Sequence, residues 1–317
     1  MKMIKNLGIN TDFSKKELKA AFGQELEFDK DLSQYSSYKT GGKTRLFILA
    51  KTVDKLTHIV QTANDLEISV FIIGGGTNLL ISDNGFNGLI IKVNINGIKL
   101  KDETIIECYA GEKLMNLVDF ATENSLTGIE FASGIWGTVG GAIFGNAGAY
   151  GGEMKDIIIE LTLIDRKGVI KTVTPDYCGF GYRDSNLKRT DDMIISALFQ
   201  LKKGNKQEIK NRVEEILKIR KEKHPLEGNS AGCFFKNIPD PNEKFGKLSA
   251  GKLLEEIGAK GLSVGGAKVY EKHANMIINT GNATSKDIRQ LADILKEKVY
   301  QKFGIKLEEE VIQVGKF

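Results

Sequence analysis

Cysteine is scarce and poorly placed for pairing. The 317-residue chain has 3, at Cys108, Cys178 and Cys233, and an odd, widely spaced set fits neither a disulfide framework nor a paired zinc-ligand pattern. A reducing compartment is therefore expected. Histidine is as rare, with 3 residues; His58 lies in an amphipathic helical pattern, His224 precedes Pro225, and no metal site is assigned. An excess of one charge is also missing. Against 41 Asp plus Glu stand 45 Lys plus Arg, a net +4, with the lysines scattered among acids, which argues against nucleic acid as the main partner. Residues 1–10 lack an apolar run followed by a small-residue cleavage site, so no secretory signal is read and a cytoplasmic location is expected. The one long uncharged run, residues 131–152, has GxxxG spacings but contains 8 glycines in 22 residues. A membrane helix so composed would lose roughly 0.8 to 1 kcal/mol per glycine relative to alanine, and a buried loop wrapped around a ligand is the better reading. No membrane partner is expected.

What is abundant is glycine, 35 residues beside only 4 prolines. Glycine costs backbone entropy, so clusters of it mark places where the backbone must approach something closely.

The rest of the pattern is ordinary α/β punctuation. Ser14-Lys-Lys-Glu17 has capping-box spacing, and Leu18, Ala21 and Phe22 continue it as a short amphipathic helix. A strand is predicted at 46–49, then a helix with Val53, Leu56, Ile59, Val60 and Ala63 on one face, then a strand at 70–73. Further strands are predicted at 89–93, 104–108, 157–163, 169–173 and 193–201, with a helix near 113–123. A polar helix follows from about 207 to 224, stopped by Pro225, Leu226, Glu227, Gly228 and Asn229, and a domain boundary is placed in or just before it. The remainder reads as a smaller α+β unit. It has a helix at 251–257, a glycine-rich turn at 258–266, a strand pair through Val269 and 276–278, and a last helix on which Ile288, Leu291, Ile294, Leu295, Val299 and Phe303 share a face.

Two glycine clusters carry chemistry. Gly74-Gly75-Gly76-Thr77-Asn78-Leu79 leaves an apolar strand directly, and consecutive glycines let successive N–H groups form an anion nest suited to a pyrophosphate. It is neither a Walker loop nor a Rossmann fingerprint, because the third glycine position is Leu79 and no clear helix follows. The second cluster runs from Ser133 and Gly134 through Gly141 and on from Gly145 to Gly152. Two such nests in one sheet-rich domain point to a long ligand, a dinucleotide such as FAD rather than a mononucleotide.

In order along the chain stand Tyr38-Lys-Thr-Gly-Gly42, Gly74-Gly-Gly-Thr-Asn-Leu-Leu80, Gly134-Ile-Trp-Gly-Thr-Val-Gly-Gly-Ala142, Asn146-Ala-Gly-Ala-Tyr-Gly151, Gly181-Tyr-Arg-Asp-Ser185, Ala231-Gly-Cys-Phe-Phe-Lys-Asn237, His273-Ala-Asn275 and Leu307-Glu-Glu-Glu-Val311. This ordered set resembles the UDP-N-acetylenolpyruvoylglucosamine reductase family, flavoenzymes that complete UDP-N-acetylmuramate for peptidoglycan. The resemblance implies an α+β fold with a two-lobed FAD-binding domain of the vanillyl-alcohol-oxidase type (residues 1–205, lobes about 1–66 and 67–205). A smaller α+β substrate domain (206–317) follows, its last strand (about 306–314) returning to the flavin site. It also implies noncovalent FAD, NADPH as co-substrate and UDP-N-acetylglucosamine enolpyruvate as substrate. The short interval from Arg183 to Cys233 resembles the subgroup without an inserted substrate-covering loop.

By the same resemblance Tyr38, Gly74, Gly75, Gly76, Thr77, Asn78, Leu79, Ser133, Gly134, Ile135, Thr138, Gly140, Gly141 and Ala147 hold FAD. Tyr182, Lys236, Asn237, Lys260 and His273 hold the substrate. Arg183 is the cation facing the substrate carboxylate, for which a planar, always-charged fork is suited; its plain alternative is a surface arginine paired with Asp184. Cys233 takes the proton-donor position, where many relatives carry Ser, and a thiol of pKa about 8.5 is a stronger acid than an alcohol. Cys108 and Cys178 read as buried structural thiols. Glu310 matches the acidic residue; on a strand Glu308 would share its face, and only the family match chooses between them. Trp136 stands where relatives commonly carry Pro. Two rival readings are a FAD-linked oxidase or dehydrogenase of small alcohols on the same fold, and a non-catalytic nucleotide-binding module.

Overall fold

A computed structural model describes residues 13–225, 229–243 and 246–317. Residues 1–10, where a secretory signal was sought, and Leu226, Glu227 and Gly228 of the helix stop lie outside the described residues. Two compact units make up the chain: Met1–Lys30, Thr44–Gly75 and Asn87–Ile219 form one, and Asp31–Lys43, Gly76–Phe86 and Arg220–Phe317 the other. The division falls inside the helix Lys206–Lys223 rather than at 205/206, and two short N-terminal segments belong with the C-terminal residues. Burial explains the first difference, because Ile209, Val213 and Ile216 are the buried residues of that helix and Val213 joins the core of the first unit.

The first unit opens on the helix Lys15–Phe22, where Ser14 and Glu17 form both halves of a capping box. Its first sheet has the order Glu27–Asp31, Lys43–Ala50, Phe86–Val93, Val70–Ile73, the last two parallel. Helix Val53–Asp65 buries the predicted Leu56, Ile59, Val60 and Ala63. Because Val70–Ile73 and Phe86–Val93 share this sheet with Lys43–Ala50, the first lobe runs on past residue 66; alternation along a chain does not say which sheet a strand joins. The second sheet, ordered Ile170–Val173, Ile158–Ile164, Met193–Gln200, Ile105–Tyr109, Ile98–Leu100, is antiparallel throughout. One continuous core joins both sheets to the helix Leu114–Glu123. Cys108 and Cys178 are buried there, and burial pushes the Cys178 thiol up to about 11, with Asp192 adding to it.

The run 131–152 departs from its expectation of an irregular loop. Thr138 caps a short helix, Val139–Phe144, accepting from the Gly141 amide at 3.3 Å. Glycine hid this helix, because each one lowers helix propensity while here allowing close packing.

The second unit has its own core. Strands Ser230–Cys233, Met276–Asn279, Ala267–Val269 and Ser263–Val264 form an antiparallel sheet in that order. The helix Ser285–Phe303 packs on it with Ile288, Leu291, Ala292, Leu295 and Val299, begun by a Thr284/Asp287 capping box and ended at Gly304, φ 70°. Ile312–Val314 pairs in parallel with Leu79–Ile81. The predicted strand at 306–314 is regular only over these last residues, with an isolated bridge from Glu309 to Phe235 before them.

Asn275, 3% exposed, acts as a surrogate piece of backbone: its Oδ1 accepts from Phe235 N at 2.9 Å and its Nδ2 donates to Phe235 O at 2.8 Å. Asn275→Ala leaves both groups buried without partners and is expected to destabilise the protein by roughly 2 to 4 kcal/mol. Urea unfolding measures this, and an unchanged midpoint would show that the two bonds contribute nothing.

Candidate active site

Strand Val70–Ile73 delivers the first glycines to a place where only glycine fits. A Cβ on Gly75 would stand 2.7 Å from Gly137 Cα, and one on Gly74 would collide with Thr138 Oγ1. The two glycine clusters of this unit are therefore in direct backbone contact. Among the described residues no protein acceptor takes the Gly75 amide, and the Ser133 hydroxyl is buried without a partner. Such orphaned donors call for a bound polar group. Ser133 and Gly134 (φ 68°) lead into Ile135, which packs at the edge of the core, as does Ala147. Thr138, Gly140 and Gly141 serve differently. Val139 N donates to Glu112 O, Gly140 N to Ala110 O and Gly141 N to the Thr138 cap, so these amides are already engaged within the protein. A Cβ on Gly140 would lie 2.8 Å from that of Ala110, and glycine there serves close packing.

The Arg183 turn is built in the same unit. Gly181 and Asp184 exchange both backbone hydrogen bonds, at 3.0 and 3.2 Å, and Arg183 sits between them at φ 53°. Its guanidinium donates to Gly148 O at 2.5 Å and lies 5.1 Å from the Tyr182 ring centroid. Buried Asn146 ties the turn to the glycine cluster: its Nδ2 donates to Gly181 O at 2.8 Å and to Glu153 at 2.9 Å, and its Oδ1 accepts from Lys155 N at 3.0 Å. Ser185 Oγ adds a 2.7 Å bond to Phe144 O. Asp184 is held by Arg189 at 2.9 Å; burial works against its charged form, but Arg189 and Lys188 keep its carboxyl below the usual range. Sequence reasoning singled out Arg183 and Tyr182 but gave no role to Asn146. Its signal was a short amide in an uncharged run, at a position with φ 43°.

Cys233 and Glu310 belong to the other unit, and their juxtaposition rests on backbone pairing. Phe234 O accepts from Glu310 N at 2.8 Å, Lys236 N donates to Glu308 O at 2.8 Å, and Phe235 bridges Glu309. Segment 233–236 therefore runs antiparallel to 308–310. The pairing of Ser230–Cys233 with Met276–Asn279 shifts register between Ser230 and Cys233, at Gly232 (φ 77°), a bulge of the kind that re-aims the following side chain. The three glutamates differ in their partners. Glu308 pairs with Lys236 at 2.5 Å, while Glu309 receives Lys296 at 2.7 Å and Gln313 at 2.6 Å. Glu310 is the one whose backbone is gripped on both sides, its N–H by Phe234 O and its C=O by Asn78 Nδ2 at 3.1 Å.

The remaining positions of this unit are also placed. Gly76 (φ 69°) backs onto the Tyr35 carbonyl, Thr77 and Asn78 follow, and Leu79 begins the strand paired with Ile312–Val314. Tyr38 is wholly buried, its hydroxyl pushed up by burial, and its carbonyl accepts from Asn279 at 2.7 Å. Lys236 pairs with Glu308, and Lys260 with Glu255 at 2.7 Å. Asn237 Oδ1 accepts from Ala250 N at 3.1 Å, and His273 Nδ1 accepts from Asn275 N at 3.3 Å. The His273 ring lies 5.9 Å from that of His224. Among the described residues no group of three metal-ligating side chains is found, and no helix is long and apolar enough to cross a membrane.

Close-packed glycine backbone with an unused amide and an orphaned buried hydroxyl fits a nucleotide cofactor, and residues 44–174 match a family model described as a FAD binding domain. The chain is a flavin-dependent oxidoreductase in class. Residues 224–314 match the model of the C-terminal domain of UDP-N-acetylenolpyruvoylglucosamine reductase. Reductases of that name from Caldanaerobacter subterraneus subsp. tengcongensis and Clostridioides difficile are 39% and 38% identical, each over 92% of this chain and 94% of the relative. The crystal structure of the Thermus caldophilus reductase is 31% identical, with a TM-score of 0.76 over 92% of this chain and 98% of that one. The chain belongs to the UDP-N-acetylenolpyruvoylglucosamine reductase family, and its cofactor is FAD.

Gly75→Ala is expected to lower the unfolding midpoint, because its Cβ must push the Gly137 backbone away, and to purify without visible flavin absorbance; a variant with an unchanged midpoint and full yellow colour would remove the glycine contact from the flavin site. A pH effect follows from His224, which burial, with Arg220, His273 and Lys223 beside it, lowers from 6.5 to about 4. The unfolded chain takes up this proton between those values and the folded chain does not. Stability is therefore full above about pH 6.5 and declines as pH falls toward about 4. In His224→Gln that decline is expected to be shallower, read from unfolding midpoints across the window.

Proposed function

We propose that this chain is the NADPH-dependent FAD reductase that converts UDP-N-acetylglucosamine enolpyruvate to UDP-N-acetylmuramate, acting in the cytoplasm through Arg183, Cys233 and Glu310. The observation that supports the assignment of residues is the pairing of 233–236 with 308–310, which sets a thiol and a carboxylate on neighbouring extended segments. FAD, when held at the Gly74–Gly75 turn and Ser133, would supply hydride chemistry at the methylene carbon of the enolpyruvyl group, with NADPH as the source of electrons. Arg183 holds the substrate carboxylate, and its charge offsets the negative charge that builds there as the hydride arrives. The tight turn and Asn146 fix its direction beforehand. Cys233 gives its proton to the carbon bearing the ether oxygen, which completes addition of hydride and proton across the double bond. Glu310 stabilises the intermediate form or helps return the proton.

Tyr182, Lys236, Asn237, Lys260 and His273 contact the substrate in this reading, with the carboxylates now paired to Lys236 and Lys260 giving way to its phosphates. Among the described residues between Arg183 and Cys233 stand a 3-10 turn at Asn186–Lys188, the strands Met193–Gln200 and Lys202–Lys203 and the helix Lys206–Lys223, which supports the subgroup lacking an inserted loop.

Anaerobic NADPH should bleach the flavin of the purified protein, and colour should return only with the enolpyruvyl substrate. In Cys233→Ala, bleaching is expected to persist while substrate-driven reoxidation slows by about a hundredfold or more; Cys233→Ser is expected to retain turnover. Full turnover in the alanine variant would remove the proton-donor assignment. Reoxidation by oxygen alone would shift the reading to a small-alcohol oxidase.

A further inference from the structure

Lys92 is an exception among the partly buried lysines. It is the penultimate residue of the strand Phe86–Val93 and pairs in register with Ile73, the last residue before Gly74. Leu89, Ile91 and Val93 alternate into the core, and Lys92 stands on the opposite face, half-buried. Its ammonium donates to the Gly74 carbonyl, and among the described residues no carboxylate pairs with it. The comparable lysines each have one: Lys55 has Glu25, Lys171 has Asp192, Lys188 has Asp184 and Lys296 has Glu309. A half-buried ammonium with a single neutral acceptor is costly, and burial lowers its pKa accordingly. The carbonyl it holds belongs to the turn that packs on Gly137 and Thr138 and presents the unused Gly75 amide.

We propose that Lys92 is a positioning residue for FAD, fixing the Gly74 carbonyl and supplying the positive charge that the cofactor's diphosphate meets at the Gly74–Gly75 turn. The inference rests on the reading that this turn holds FAD. The diphosphate is the part of the cofactor that is charged in every redox state, whereas the oxidised ring is neutral. A cation whose burial must be offset in the resting protein therefore matches the diphosphate, and the carbonyl it ties back would otherwise repel that anion.

The test uses the full chain, stripped of flavin and titrated with FAD and with riboflavin, which has no phosphate, at several salt concentrations. Lys92→Gln keeps a donor for the Gly74 carbonyl and removes the charge. It is expected to weaken FAD binding about tenfold or more, to leave riboflavin binding unchanged and to flatten the salt dependence; Lys92→Arg is expected to stay within about threefold of the unsubstituted protein. The proposal falls if Lys92→Gln binds FAD normally, if it loses FAD and riboflavin by the same factor, or if the salt dependence is unaltered. Where riboflavin binds too weakly to measure, the salt dependence decides. Should Lys92→Gln fail to fold, Lys92→Arg decides alone, and a folded arginine variant with FAD binding lost overturns the proposal. An unsubstituted chain that binds no FAD overturns the reading of the turn itself, a separate result.

Discussion

The close backbone approach of Gly75 to Gly137 is the constraint on which the glycine turn of the first unit depends. Two segments roughly sixty residues apart can approach so far only if neither carries a Cβ there. That contact seats Gly74 on the cap of the helix Val139–Phe144, and from the far end of that helix the chain runs into Asn146 and Gly148, which orient the Arg183 turn. The Gly75–Gly137 contact and the Arg183 turn thus share one stretch of glycine-rich chain. An unpaired amide and an orphaned hydroxyl are tolerated there because folding serves the bound state, not only the free one.

The second unit reaches comparable precision by another route. Asparagine side chains stand in for missing strand partners: Asn275 mimics a backbone partner for Phe235, and Asn279 holds the Tyr38 carbonyl together with the Gly281 and Ala283 amides. Asn78 does the same for Glu310. A short amide offers donor and acceptor in nearly the peptide geometry, so it can close a sheet edge where the register shifts.

Much of this was legible in the residues. The predicted strands and helices of the first unit fall within a few residues of the observed ones, because their apolar periods are clear: Leu56, Ile59, Val60 and Ala63 on one helix, Ile106 and Cys108 on one strand face. What escaped lacks such a period. Glu27–Asp31 reads Glu-Phe-Asp-Lys-Asp, four of its five residues charged, and Val139–Phe144 is masked by two glycines. The glycine clusters were legible as candidate sites, but not that Val139, Gly140 and Gly141 use their amides within the protein; for Val139 and Gly140 that depends on Glu112 and Ala110, which no local pattern connects to them. Lys92 did leave a trace, a lone charge in Leu-Ile-Ile-Lys-Val, though its unpaired state is visible only in three dimensions.

In the glutamate run, pairing separates residues that periodicity equates. Strict alternation equates Glu308 with Glu310, yet the chain at 308–310 is held by single bonds to 234–236 rather than by a regular ladder. Side-chain roles then follow from neighbours. Glu308 meets a lysine two residues beyond Phe234, Glu309 is taken by the helix Ser285–Phe303 through Lys296, and Glu310 has its backbone locked from both sides. The same logic applies to Cys233, the proposed proton donor. Position 233 is set by the Gly232 bulge and by the Phe234 bonds to Asn275 and Glu310, all made by backbone or by other side chains. Exchanging sulfur for oxygen there, as in Cys233→Ser, changes the acidity of the side chain without changing the backbone that aims it.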